Sequence, residues 1–473
     1  MTIEITPSST AAMHAGAVSA PADGLWAPRR RRLTLGLVLT VTLVAFESLA
    51  ISTVMPLVSR DLGGLHLYGW VFSGFFLGSL MGIVLAGQAA DRQGTMAPYV
   101  LGLALFAGGL LIGGLAPSMA LLVVGRVVQG LGAGAIPAVA YTSVGRVIPT
   151  ALRPRMFAVF ASAWVIPGLL GPAAASAIAA AFGWRAVFLA LLPLVAIAAA
   201  MTAPALDRRP PARSDDAAEP SDRRMPALAL VIGVALVLIA VADPRLPVVA
   251  IELVIGAPLA LAAFLRLVPP GTVRLAPGMP AAVMARGMLT FAFFGVDAYV
   301  SLTFVEVRGQ PAWVSGAALT AAALWWTTGA WIQQRLVSSV GPRVLVVAGF
   351  TCVAAGILGM LAAIHRLPLR PAIAVWSIAG LGMGLAYASI SVTVLGAAAP
   401  GQEGAASASL QLTDVLGVVL GTGAGGAFIA VGAARGWTPA ASLELAFAVM
   451  LAMAVLGIGA ARRLPRWVPN SDR

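Results

Sequence analysis

A chain of 473 residues that is 60% hydrophobic and only 10% charged, with a mean hydropathy of +0.94, is not a soluble globular protein, in which about a quarter of residues are charged. The formal charge of +12 does not point to nucleic acid, because all 30 basic residues are arginines and most stand at the ends of apolar runs, where anionic lipid and topology account for them. A single cysteine, Cys352, excludes a disulfide framework. The scattered His14, His66 and His365 offer no metal-ligand spacing and no nucleophile with its base, so neither a metal nor enzymatic chemistry is expected.

Residues 1–28 are small and polar and read as a disordered cytoplasmic N-terminus, followed by the block Arg29 to Arg32. Arg31 and Arg32 look superficially like a twin-arginine export signal. The apolar run behind them is too long for a signal and has no cleavage site, so it reads as a retained first helix. At about 20 apolar residues per crossing, helices are predicted at 33–58, 69–89, 97–116, 119–143, 155–181 and 185–204. A polar cytoplasmic linker, 205–225, precedes an accessory pair within 226–266, read either as two spans or as a re-entrant hairpin, and a Pro/Gly-rich connector, 267–280. Six further helices are predicted at 281–305, 312–334, 342–364, 370–396, 404–432 and 438–461.

The expected fold class is therefore an all-α polytopic membrane protein of fourteen helices. An N-terminal six-helix bundle (29–204) and a C-terminal one (281–462) flank the accessory pair, and 463–473 form a cytoplasmic tail. Twenty-two arginines, Arg286 among them, are assigned to the ends on the N-terminal side and seven to the other, which predicts both termini in the cytoplasm.

One arginine fits neither side. Arg126 lies inside an apolar run, where a guanidinium costs about 2.5–3.5 kcal/mol on insertion scales and must snorkel to an interface or face a cavity or an acidic partner. Gly130, Gly132 and Gly134 strip one face of the same helix and favour an interior position, and Glu47, midway along the first run, is the best-placed partner.

The chain also repeats itself. A shift of 250 residues carries Glu47 onto Asp297, Gly130, Gly132 and Gly134 onto Gly380, Gly382 and Gly384, and Gly171 onto Gly421; Gly94 meets Gly341 at a shift of 247. A parallel repeat places transport sites at mid-membrane between the halves. The charges have diverged, since Arg126 falls on Trp376 and Asp414 on Trp164.

From 33 to 462 the chain resembles the major facilitator superfamily, specifically its fourteen-helix drug/proton antiporter branch. Gly87, Asp91, Arg92 and Gly94 match its Gly-x-x-x-Asp-Arg-x-Gly loop signature, with Thr95 and Met96 where the family has a basic pair. The alternative is a solvated turn. Arg126, Gln129, Gly130 and Gly132 resemble the fourth-helix motif that the family links to proton coupling, and Glu47 with Pro56 resembles its acidic first-helix signature, normally an aspartate. Gly168, Gly171 and Pro172 resemble the fifth-helix antiporter element, with Ala175 and Ser176 replacing the expected glycine pair; a plain packing kink is the other reading.

The resemblance implies a major facilitator fold, no cofactor, and protons as the coupling ion. A carboxyl in a low-dielectric cavity favours its neutral form, and an arginine beside it restores the charge. Glu47 and Asp297 are the expected exchangeable carboxylates, Arg126 and Gln129 tune Glu47, and Asp414 is a further candidate; a simple hydrogen-bonding role is the alternative for both aspartates. Phe76, Trp164, Phe294 and Trp325 are candidate cavity aromatics that elsewhere commonly face lipid. The leading expectation is a monomeric exporter of hydrophobic or cationic compounds in a bacterial cytoplasmic membrane, whose partners are a small-molecule substrate and the bilayer. A transporter of a specific metabolite or lipid comes second, and a sensor or scaffold third.

Overall fold

The computed structural model describes residues 24–147, 156, 159–160, 163, 165–206, 224–242, 246–365, 367–397 and 403–466. A backbone in hydrocarbon must satisfy its own hydrogen bonds, and fifteen α-helices do so among the described residues. They are α1 (Pro28–Leu62), α2 (Tyr68–Gln93), α3 (Met96–Gly114), α4 (Met119–Val147) and α5 (Val165–Phe182). The predicted sixth span is broken at Ala190 into α6 (Trp184–Leu189) and α7 (Leu191–Thr202). The accessory pair is α8 (Arg224–Ala242) and α9 (Leu246–Leu267), and the second half holds α10 (Met279–Leu302), α11 (Ala312–Val340), α12 (Pro342–Ile364), α13 (Leu369–Gly396), α14 (Glu403–Arg435) and α15 (Pro439–Ala461). A π-turn, Thr303–Val307, continues α10. By length and composition eleven segments among the described residues are able to cross a membrane; α5, α9 and α11 are outside that set.

The internal repeat is a repeat of packing. A methyl group added to Gly130 would strike the Phe75 carbonyl oxygen, to Gly134 that of Ser79, and to Gly132 that of Gly102. In the second half Gly380 faces the Ala322 carbonyl, Gly384 that of Trp326, and Gly382 that of Gly349. The α2–α4–α3 contact is thus rebuilt as α11–α13–α12. Glycine is used here for approach, since helices in lipid gain little from burying apolar surface and must draw their contact from close backbones. The loop glycines repeat as well. Gly94 (φ 85°) ends α2 and Gly341 (φ 80°) ends α11, each in a backbone region that side chains disfavour.

The halves meet along two seams. At one, α2 lies on α14, with Gly69 against Gly426 and the Ser73 hydroxyl donating to the Val419 carbonyl at 3.2 Å. The accessory pair covers this seam: Leu77 and Leu80 of α2, Leu230, Val234 and Leu238 of α8, Phe264 of α9 and Val419 of α14 form a separate apolar core. The other seam is α5 on α11, where Gly168 meets Ala323 and Gly316 meets the Pro172 carbonyl and the Ser176 hydroxyl.

The end of the molecule away from the chain termini is closed. Tyr68 packs on Tyr299 with ring centroids 5.6 Å apart, the Tyr299 hydroxyl donates to the Thr422 carbonyl, and Arg60 Nε donates to Glu306 Oε1 at 2.6 Å. The ring contact and the Arg60–Glu306 pair tie the first half to the second, and the Tyr299 hydroxyl ties α10 to α14 within the second.

Overpacking a tight helix contact costs about 1–3 kcal/mol, so Gly132→Val lowers the thermal midpoint of the detergent-solubilised protein. Gly87→Ala leaves the midpoint unchanged or slightly raised, because nothing lies within 4 Å of a methyl group there. Differential scanning fluorimetry on the two variants checks the contrast.

Candidate functional site

Arg126 sits about two turns into α4, buried to 1% exposure, and Glu47 of α1 is buried to 3%. The interior position is the one observed. Arg126 Nη1 donates to Glu47 Oε1 and, at 2.8 Å, to Gln129 Oε1; Nε donates to the Val71 carbonyl at 3.0 Å. The guanidinium also lies 4.2 Å from the centroid of the Phe75 ring. Four helix-borne groups therefore hold one cation. Glu47 Oε2 and Gln129 Nε2 are buried without a hydrogen-bond partner among the described residues.

The same construction recurs in the second half with the charge removed. Glu47 and Arg126 are 79 residues apart, and so are Asp297 and Trp376. Trp376 Nε1 donates to Asp297 Oδ1 at 3.3 Å, so an indole stands where the repeat places the guanidinium. Trp376 stacks on Phe293 at 5.2 Å, Phe293 meets Phe294 and Trp326 edge-on, and Trp326 meets Tyr387 at 5.5 Å.

That aromatic row leads to a second charge centre, one that the arginine pattern hides. Arg286, assigned above to a span end, is instead buried in α10, a correction to the count that placed it at the membrane surface. Its Nε lies 3.2 Å from Asp414 Oδ1, Nη1 donates to the Tyr387 carbonyl at 2.8 Å, and Nη2 donates to the Ser391 hydroxyl at 2.9 Å. The guanidinium carbon stands 3.1 Å from the Tyr387 ring centroid, and the Tyr387 hydroxyl donates to Asp414 Oδ2 at 3.0 Å. The sequence signal for Arg286 is its place inside a predicted helix, five residues past the start at 281, with Asp414, a candidate carboxylate that had no cationic partner, in another span.

The remaining predicted residues are spread out. Gly87 faces open space, Arg92 is exposed, and Gly94 closes α2, while the Asp91 side chain is outside what the structure describes. At the same end Arg224 of α8 donates to Gln88, which ties the accessory pair to α2. Gly168 and Pro172 lie at the α5–α11 seam, and Gly171 packs on Phe46 and Leu49 of α1. Phe76 is half-buried and meets Phe75 edge-on. Phe294 belongs to the aromatic row, whereas Trp325 is 47% exposed and is not part of it. Trp164 lies outside the described residues. Among the described residues no three His, Cys, Asp or Glu converge as a metal site.

The sequence profile of the Major Facilitator Superfamily matches residues 37–422. A probable multidrug-efflux transporter of Mycobacterium tuberculosis is 29% identical over 452 residues, covering 90% of this chain and 94% of the relative. A triacylglyceride transporter of Mycolicibacterium smegmatis is 26% identical over 423 residues, 82% of this chain and 74% of the relative. A bacterial homologue of the human lysosomal transporter Spinster, solved inward-facing and unoccupied, superposes with a TM-score of 0.66 at 15% identity, covering 94% of this chain and 99% of that one.

Removing one partner of a buried ion pair costs about 3–5 kcal/mol, because the other charge is stranded. Glu47→Gln and Arg126→Gln are each expected to destabilise the protein by that order, and the double variant to recover most of the loss. Thermal unfolding of the three variants in detergent measures the coupling.

Proposed function

The chain belongs to the major facilitator superfamily, and from that premise we propose that this multi-pass membrane transporter is a proton-driven antiporter exporting hydrophobic or cationic compounds. The observation that carries the reading is the repeated buried carboxylate: Glu47 on Arg126 and Asp297 on Trp376, at equivalent positions in the two halves. The motifs around Arg126 and Pro172, and the efflux name of the mycobacterial relative, support export.

Fourteen crossings follow if α5, α9 and α11 span with the other eleven segments, arranged as two six-helix bundles around the accessory pair. The arginine excess then puts both termini in a bacterial cytoplasm and the closed end of the molecule outside.

In this reading Glu47 carries the exchangeable proton. Arg126 pairs with Glu47 in the state described; when the bundles tilt and the guanidinium turns towards Gln129 and the Val71 carbonyl, Glu47 takes a proton, with Oε2 as the free acceptor among the described residues. Among the described residues Asp297 has only an indole donor and no cation beside it, so its proton responds to solvent access rather than to a neighbouring charge. Asp414 is the third acidic group of the set. One proton moving through about 100 mV supplies roughly 2.3 kcal/mol, equivalent to a substrate gradient of about fortyfold, so no nucleotide is required. A lipid cargo is the second reading, favoured by the similarity to a triacylglyceride transporter.

In a host stripped of efflux pumps, expression is expected to lower accumulation of a cationic dye only while a proton gradient persists. Unchanged dye with folded protein in the membrane turns the reading towards a lipid or metabolite. In proteoliposomes, Glu47→Gln is expected to abolish substrate-induced proton release and Asp297→Asn to reduce it; wild-type release from Glu47→Gln removes Glu47 from the coupling.

A further inference from the structure

The Arg286 centre has no counterpart in the first half. The 250-residue shift would bring Arg286 from Gly36 and Asp414 from Trp164, so the repeat does not require this charge pair. What it consists of is a carboxylate and an aromatic face converging on one delocalised cation, with the face extended into a row of rings. A carboxylate beside an aromatic face is how proteins recognise organic cations. Here the cation is the protein's own.

We propose that Asp414 and the face of Tyr387 form a subsite for an organic cation, which Arg286 occupies in the unloaded protein and yields when cargo binds. This deepens, and rests on, the export reading above.

Three observations favour exchange over a fixed structural pair. First, the contacts of Arg286 divide cleanly. Its two terminal nitrogens are held by the Tyr387 carbonyl and the Ser391 hydroxyl, while Nε, the atom nearest Asp414, makes no hydrogen bond. Giving up Asp414 leaves the guanidinium two hydrogen bonds to its own wall of the site. Second, the two partners are buried unequally, with the Arg286 side chain 5% exposed and that of Asp414 23% exposed. The carboxylate is the member of the pair that a molecule arriving from outside can reach. Third, the apolar part of a cargo has a surface to lie on, since Tyr387 continues through Trp326 to Phe293 and Phe294.

The arrangement also explains why a transporter would carry an internal competitor. With Arg286 in place the subsite is neutral and filled, so an empty transporter does not present a bare carboxylate in a low-dielectric interior. A cargo must match both the charge and the flat face to replace it, which selects delocalised or aromatic-bound cations over simple metal ions.

The test is equilibrium binding of tetraphenylphosphonium to the purified protein in nanodiscs, with neutral triphenylphosphine oxide as a shape control. Arg286→Gln is expected to bind the cation about tenfold more tightly than wild type and Asp414→Asn about tenfold more weakly, with the neutral probe unmoved, in keeping with the strength of a desolvated cation–aromatic contact. Tyr387→Leu, which alters no charge, weakens the cation alone and carries the test should Arg286→Gln fail to fold. The gain on removing Arg286 is the outcome that a purely structural pair does not produce. Cation binding that is unchanged or weakened in Arg286→Gln, and unchanged in Asp414→Asn and Tyr387→Leu, overturns the subsite and leaves the export reading standing on another site. Absence of cation binding in every form, wild type included, overturns both.

Discussion

The first half of this molecule is arranged around the burial of one guanidinium in hydrocarbon. Arg126 cannot shed its charge, and it lies too deep to reach water. It therefore dictates the contents of three helices: Glu47 in α1 to balance it, Gln129 in its own helix to share it, and in α2 the Val71 carbonyl together with the Phe75 ring. The glycines of α4 belong to the same requirement. A guanidinium reaches a carbonyl of α2 only if the two helices lie close, and Gly130 and Gly134 remove the side chains that would hold them apart. Buried pairs of this kind add little net stability compared with apolar packing. Their retention is better explained by what the pair does when it opens.

The second half shows what the first would be without that charge. The helix frame is the same, down to which carbonyl each glycine approaches, yet Trp376 replaces the arginine and a hydrogen bond replaces the ion pair. The second half is not free of buried charge, however. It carries Arg286 and Asp414, with Arg286 eleven residues before Asp297 on α10, about 16 Å along the axis at 1.5 Å per residue. Two nearly superposable scaffolds thus hold their arginines at different depths. One centre is therefore built on a position that the repeat shares, and the other on a level that the repeat leaves uncharged in the first half.

Much of this was legible in the sequence because the relevant residues are improbable where they stand. An arginine and a glutamate in apolar runs are expensive enough to demand each other, and their pairing was anticipated without coordinates. The glycine repeat was equally plain, since close helix approach leaves few residues to choose from, and even its slip from 250 to 247 residues is structural: α2, α3, α11 and α12 keep the shorter offset while α1, α4, α10 and α13 keep the longer. Arg286 was hidden for the opposite reason. It lies near enough to the start of its helix for the arginine pattern to claim it for the surface, and only the three-dimensional approach of α13 and α14 brings Tyr387, Ser391 and Asp414 around it. The aromatics divide on the same ground. A tryptophan on a helix does not report which face it occupies, so Trp326 in the aromatic row and Trp325 half-exposed beside it are indistinguishable as letters.

The accessory pair adds a constraint of its own. It covers the α2–α14 seam with a continuous apolar core, whereas the α5–α11 seam is closed only by small residues, Gly168 on Ala323 and Gly316 on Pro172 and Ser176. Ser176 and Thr320 there keep buried hydroxyls without hydrogen-bond partners among the described residues. Leucines and valines of the accessory pair interlock with the first seam, whereas parting the second relieves two unmatched hydroxyls. The covered seam thus carries the accessory pair as a brace, which the other lacks among the described residues. Trp326, which joins the Phe293 ring to Tyr387, is on α11, so the aromatic row that reaches Arg286 is anchored on a helix of the unbraced seam.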